Sequence, residues 1–339
     1  DIKFIKKKIN FDNDSRYSFY LETYENNLIL VSKKGKFYKS DLTDLMNSND
    51  NLSRDELKTN GLFRLGEKKF RILDTLLVGS KLYVSKVSEY QNCERLEIKF
   101  AHIKDVLEFN TLKSFEECAS INIGAGRIAK FKFNEQDGIL LTTNDSDNDR
   151  PGSKAQNINS IFGKIVFINL ETKEYEIFSK GHRNPQGLSV KNNIILSTEH
   201  GPKGGDELNR IYFNKNYGWP IASYGSSYED KNLNYKKSHH KYSFEEPLFV
   251  FLPSIGISEL IFLPNKFDEK WNDNILVSSL NDRSIYRIKF ESSKFEKVLY
   301  NEKIYIGERI RDIKYVDKYN LIILALERTG SVGILKKLN

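Results

Sequence analysis

The sequence predicts an all-β chain, a six-bladed β-propeller of four-stranded antiparallel blades. Helical periodicity is scarce, and short β-branched and aromatic runs alternate with Gly, Asn, Asp and Ser turns. One pattern recurs six times: an apolar strand, a polar turn, a second apolar strand ending in a polar cluster, then a third strand. The copies start near Tyr17, Ile72, Arg127, Leu188, Ile257 and Ile310, about 53 to 69 residues apart. Such a unit cannot bury both its faces alone, whereas copies stacked around an axis bury both and leave only short edges. A β-solenoid is the other architecture weighed, but its repeats are usually much shorter.

Taken in order, the extended stretch IKFIKKKINF supplies a strand that closes the ring against the last copy. The first copy is YSFYLETYENNLILVSKKGKFYKSDL and the second ILDTLLVGSKLYVSKVSEY. RIAKFKFNEQDGILLTTND with GKIVFINLETKEYEIF makes the third, and LSVKNNIILSTEHG with LNRIYFNKN the fourth. The fifth begins ISELIFLPNKF and the sixth IRDIKYVDKYNLIILALERTG. One propeller domain over residues 1–339 is expected.

Composition sets the outer limits. Hydrophobic residues make up 39% and aromatics 12% of 339 residues, enough for a sizeable core and too many for general disorder. No apolar run approaches the ~18–20 residues of a membrane span. An opening at Asp1 fits a trimmed signal peptide. The net charge of +7 comes from 53 basic and 46 acidic residues, and the basic ones are scattered apart from Lys6-Lys7-Lys8. That is a solvated surface, not the basic stripe of a nucleic-acid binder. Two cysteines, Cys93 and Cys118, exclude a disulfide-rich scaffold and a cysteine zinc site. One bridge or two buried thiols both remain open.

Propellers place function in the loops at one end of the channel. In GHRNPQGL, Arg183 offers a planar fork for a carboxylate or phosphate, and Asn184 a donor and an acceptor. In ERIRDI, Arg309 and Arg311 lie two apart on a strand and point to one face. They pair with Glu308 or Asp312 at the surface, or with Arg183 they clamp an anionic ligand. The loop HGPKGGDE sets Gly and Pro carbonyls beside Asp206 and Glu207, the hard oxygens calcium takes, or it is simply a tight blade loop. NDSDND, Asn144–Asp149, reads as a solvated turn because it lacks EF-hand spacing. His239 and His240 read as exposed, and His182 faces either a ligand or the barrel wall.

GHRNPQGL, EHGPKGGDELNRI, NYGWP and GERIRDI, with AQNINSIFGKI and PSIGISELIFL, resemble in order and spacing the soluble pyrroloquinoline quinone (PQQ) sugar dehydrogenases of the glucose/sorbosone dehydrogenase family. The resemblance is strong from Arg127 onward and limited to blade pattern before about Ile123. It implies oxidation of the anomeric hydroxyl of aldoses, with a histidine as base, PQQ as hydride acceptor and calcium polarising the quinone. It implies that Arg183, Asn184, His200, Arg309 and Arg311 meet cofactor or substrate. Gly201 and Pro202 would give carbonyls to a catalytic calcium, and Glu207 with the backbone of Tyr217 would form a second calcium site. A periplasmic or secreted location follows, and with it a Cys93–Cys118 disulfide. The ligand is then a small sugar or another polar or anionic molecule.

Two positions depart from the family pattern. The base stands four residues before the arginine of a HxGGR-type motif; here that segment is Ile123-Gly124-Ala125-Gly126-Arg127. An isoleucine accepts no proton, and loss of a general base typically costs about 10²–10⁴-fold. Where the family has glycines before a Leu-Leu pair, this chain has Lys69-Phe70-Arg71-Ile72-Leu73, which would alter or fill that rim. Two functions are therefore expected to compete: a PQQ sugar dehydrogenase with a weakened site, and a non-catalytic propeller that binds or scaffolds.

Overall fold

The computed structural model describes residues 2–9, 18–63, 66–90, 93–119, 123–145, 153–228 and 233–338. Among them the strands form six small sheets, and the helices are single 3-10 turns. The chain is a six-bladed β-propeller. The innermost strands are Phe19–Tyr24, Lys69–Val78, Ile128–Phe133, Pro185–Lys191, Ile257–Phe262 and Ile310–Val316, close to the starts read from the repeat. Each touches the next around the ring, and the first touches the last. Tyr17 itself lies outside the described residues.

Closure is by the N-terminal strand. Ile2–Lys8 pairs antiparallel with Ser331–Lys337 in the sheet of the sixth blade, setting Ile5 opposite Ile334. The two ends of the chain thus share one sheet, and no innermost strand lacks a neighbour. None of the helices among the described residues is long and apolar enough to cross a membrane.

Strand alternation explains the packing. In Asn27–Ser32, Leu28 and Leu30 face the sixth blade while Ile29 and Val31 face the second. Among the described residues six apolar clusters lie one between each pair of neighbouring blades, beside a smaller one of Ala155, Trp219 and Tyr235. Each fully buried Leu or Ile there contributes about 1.5–3 kcal/mol.

Arg127 ties the blades at the centre. It is almost wholly buried and leads into the third blade. Its guanidinium bonds Asp74 of the second blade at 2.9 Å, the Gln186 carbonyl of the fourth at 2.7 Å and the Arg311 carbonyl of the sixth at 2.8 Å. Glu259 of the fifth blade lies 3.1 Å away, and the Tyr20 ring of the first lies 5.3 Å away. Only a side chain on the axis reaches every blade.

Candidate functional site

The predicted ligand-binding residues gather at one channel mouth. Arg183 and Asn184 immediately precede an innermost strand, His200 follows Ile194–Glu199, and Arg309 and Arg311 flank the start of Ile310–Val316. Glu199 shapes the GHRNPQ turn: its carboxylate accepts from the Arg183 N–H, from the Asn184 N–H at 3.3 Å and from His182 Nδ1 at 3.0 Å. His182 is fully buried, bonds Ser179 and stacks on Tyr217, so it belongs to the wall. The Arg183 guanidinium lies over Trp219 at 5.2 Å, and its buried Nε has no hydrogen-bond partner among the described residues.

Asn184 connects the remaining groups. Its Oδ1 accepts from Gln186 at 2.8 Å, and its Nδ2 stands 3.5 Å from His200 Nδ1. His200 Nε2 bonds the Ile257 carbonyl at 2.6 Å, so Nε2 carries the proton and Nδ1 keeps its lone pair. Burial lowers the His200 pKa below the usual histidine value, which favours this neutral ring. Arg311 contacts Gln186 Oε1 at 3.4 Å, which joins the sixth blade to the fourth.

The arginine pair is neither free nor paired as the sequence suggested. Arg309 and Arg311 both bond Glu327, Arg309 through Nε at 3.1 Å and Arg311 through a terminal nitrogen at 2.9 Å. Glu308 instead bonds Lys6 and Thr329, and Asp312 is buried and accepts the Leu21 N–H. Burial alone would raise the Glu327 carboxyl, but Arg311, the Ser18 hydroxyl and Arg309 outweigh it and hold the pKa at about 2. Sequence reading missed Glu327. Its one signal was a carboxylate at the end of a wholly apolar strand.

The Gly201–Glu207 loop fits a cation. A Cβ on Gly201 would meet the Gly204 and Gly205 carbonyl oxygens at 2.3 Å, so only glycine permits this turn. Asp206 staples the loop to the fifth blade, accepting from Gly201 N–H, Ser254 and the N–H groups of Ile255 and Ile257. Behind it, Glu199, Glu207, Gly181, Gly201, Tyr217 and Trp219 help to line a cavity of about 10 Å³, the space of one water or ion. Burial, and next the adjacent Glu199 charge, pushes the Glu207 pKa up to about 8. Arg183 and His200 line the same void, and the two buried carboxylates that face it are oxygen ligands of the kind calcium takes. Pro202 packs against Gly225.

On the opposite rim the residues close inward. Ile123 is 1% exposed and packs with Leu73, Leu96 and Ile128 between the second and third blades. Its carbonyl accepts from Arg71 at 2.6 Å and its N–H donates to Glu94 at 2.7 Å. Arg71 and Glu94 form a two-bond pair at 2.6 and 2.8 Å. The Lys69–Leu73 and Ile123–Arg127 stretches are therefore in contact. Phe70 fills the space beside Gly35. Gly124 still leaves a cradle, where a Cβ would come within 3.2 Å of Asn184 Oδ1.

Cys93 and Cys118 come together with Cα atoms 5.6 Å apart, inside the span of a disulfide. The next residue, Glu94, pairs its backbone with Ala119, so the two cysteines lie beside the carboxylate that holds Arg71. Two sequence readings need correction. His239 is buried against Tyr224 and near Glu207, because its 3-10 turn folds back onto the loop; His240 is exposed. Asn144 and Asp145 are buried, holding the Gly124 N–H and Trp219 Nε1. The remainder of NDSDND lies outside the described residues.

A clamp of guanidiniums, a neutral histidine, an amide and a carboxylate-lined void can bind a polyanionic, planar ligand beside a divalent cation. The sequence profile described as Glucose / Sorbosone dehydrogenase matches residues 82–335. The chain is similar to the aldose sugar dehydrogenase YliI of Escherichia coli, 28% identical over 68% of this chain and 64% of that protein. It is also similar to quinoprotein glucose dehydrogenase B of Acinetobacter calcoaceticus, 42% identical over 38% of this chain and 28% of that one. These matches span less than two thirds of the relatives' own length. A glucose dehydrogenase crystal structure superposes with TM-score 0.80 and 22% identity over the whole of both chains. The PQQ-bound aldose sugar dehydrogenase of Streptomyces coelicolor gives 0.70 and 17%, over 99% and 98% of the two chains. The structures speak for the fold and the profile for the lineage: the chain belongs to the glucose/sorbosone dehydrogenase family.

Proposed function

We propose that this propeller binds PQQ and calcium at the channel mouth and oxidises the anomeric hydroxyl of a sugar only slowly. Arg183, Asn184, His200, Arg309 and Arg311 would hold the cofactor. Gly201 and Pro202 would face one calcium, and Glu207 with the Tyr217 backbone a second. PQQ, when bound, supplies a two-electron acceptor. The chain's own residues would orient the sugar, but they offer little to take its proton. The observation that carries this reading is Ile123, sealed in an apolar cluster and fixed by Arg71 and Glu94. His182 is bonded at both ring nitrogens and Asp145 is engaged by Trp219, so water and the weakly basic Nδ1 of His200 are left as acceptors. The same closed rim favours the second reading, a non-catalytic propeller that binds ligand or scaffolds a partner.

Purified protein mixed with PQQ and calcium should show the quinone's bound absorbance. Dye reduction with aldoses should run at least ~100-fold below an intact family member. Bound quinone with no dye reduction selects the second reading, and no bound quinone rejects the first. Ile123→His alone should leave turnover flat, since the side chain points into the core; Ile123→His with Arg71→Gly should raise it. A gain from the single substitution would show that the pocket is open there. We also propose one domain over 1–339, a periplasmic or secreted location and a formed Cys93–Cys118 bond. Alkylation of both thiols in unfolded, non-reduced protein would refute that bond.

A further inference from the structure

On the side of the channel mouth built by the first, second and sixth blades, cations outnumber the carboxylates that answer them. Arg71 is matched by Glu94, and the Arg309–Arg311 pair by the single charge of Glu327. Lys33 draws on that same Glu327 charge from a distance, and among the described residues no oxygen bonds its ammonium. Its backbone places it. The Lys33 carbonyl accepts from Ile72, the residue after Arg71, at 2.8 Å, and its N–H donates to Ser18 at 2.8 Å. Ser18 in turn bonds Glu327. Lys33 therefore sits between the Arg71 rim and the Arg311 clamp. Burial lowers its pKa first, Arg311 and Arg71 add repulsion, and the attraction of Glu327 offsets only part of this. Holding a half-buried ammonium next to two guanidiniums is costly when one carboxylate, already bonded to Arg309 and Arg311, is all that answers the three.

Position within the mouth indicates which anion. The clamp suited to cofactor carboxylates is Arg309 with Arg311. Arg71, by contrast, reaches the carbonyl of Ile123, the position of the family's proton acceptor, which acts on the substrate. The cations contributed by the first and second blades thus stand on the substrate side. We propose that Lys33 and Arg71, backed by Arg311, form an anion subsite at this mouth, and that the sugar it takes is acidic, carrying a carboxylate or a phosphate. This rests on the sugar-binding reading above and deepens it: a neutral aldose leaves Lys33 with no more than its share of Glu327, whereas an acidic sugar places its charge there and presents its other end to Asn184. Arg71 keeps Glu94 and contributes field and shape; Lys33 makes the contact.

Binding is read by tryptophan fluorescence, Trp219 lying under Arg183, with glucose, glucuronate and glucose 6-phosphate as probes, each with and without PQQ and calcium. Glucuronate or glucose 6-phosphate should bind at least ~10-fold tighter than glucose, and the advantage should shrink at high salt. Which of the two binds better identifies carboxylate or phosphate. Lys33→Met should remove roughly tenfold of the acidic-sugar affinity and leave glucose and PQQ affinities within about twofold; Lys33→Arg should restore it. Equal binding of glucose and the acids would overturn the proposal. So would a loss of PQQ affinity in Lys33→Met with sugar preference intact, which would make Lys33 a cofactor residue. Acidic-sugar preference without any PQQ binding would sink the dehydrogenase reading and leave this inference standing.

Discussion

Glu327 shows how a single carboxylate sets the state of the clamp. Two guanidiniums two residues apart would repel one another, and Glu327 holds both on one side of the strand. Its folded pKa of about 2 lies below the ordinary value of 4.5, so its stabilisation is present above pH 4.5 and is lost as pH falls through about 2. The shift corresponds to about 3 kcal/mol at most. Glu327→Gln should therefore lower the melting temperature at pH 7 and narrow the gap from the parent as pH approaches 2. PQQ affinity adds a second reading of the same variant. With Glu327 gone, the pair gains net charge for a cofactor carboxylate, so affinity should rise severalfold. A fall in affinity would mean that Glu327 is needed to aim the arginines.

Among the elements, the loop from Gly201 to Glu207 shows which parts of the site a sequence discloses. Its turn chemistry is local: glycines where no Cβ fits, and Asp206 bonding the strand entry of the next blade. Local patterns of that kind made the fold and the C-terminal half of the site legible, including the start of every blade within about three residues. What stayed hidden depends on chain segments far apart. Glu327 meets Arg311 across a hairpin, Lys33 meets Ser18 and Ile72 across two blades, and Glu94 meets Ile123 through the Cys93–Cys118 excursion. His239 was misread because a Lys- and Tyr-rich context suggests solvent, while its 3-10 turn folds it under Tyr224. The loop also carries a prediction. Glu199 and Glu207 lie buried together, so calcium binding should stabilise the protein by about 2.7 kcal/mol at a hundredfold excess over its Kd. That corresponds to roughly 4 °C in a chain of this length. A chelator should reverse the gain, and Glu207→Gln should remove most of it. An unchanged melting temperature on chelation and resupply would reduce the loop to a tight turn.

At the scale of the whole molecule, a ring of six blades has two devices against opening. One is the shared terminal sheet, in which Ile2–Lys8 bonds Ser331–Lys337. The other is Arg127, whose charge is set among Asp74, Glu259 and the carbonyls of Gln186 and Arg311. Burial raises the Glu259 carboxyl to about 7 against the pull of Arg127, and raises Glu22 to about 7 against Lys314. Both folded values lie above the ordinary 4.5. These two groups therefore favour the folded state most below pH 4.5, and that contribution declines as pH rises through about 7. Arg127→Met removes the counter-charge and leaves the acids buried together. At pH 8 that should cost about 3–5 kcal/mol, because breaking a buried ion pair strands its partner. In a chain of this length the melting temperature would fall by roughly 4–7 °C. At pH 5 the stranded carboxyls take up protons and the loss should shrink. Calorimetry of parent and variant at the two pH values decides the matter. An equal loss at both would mean that Arg127 acts through packing and its carbonyl bonds, and that the charge at the axis contributes little to holding the blades.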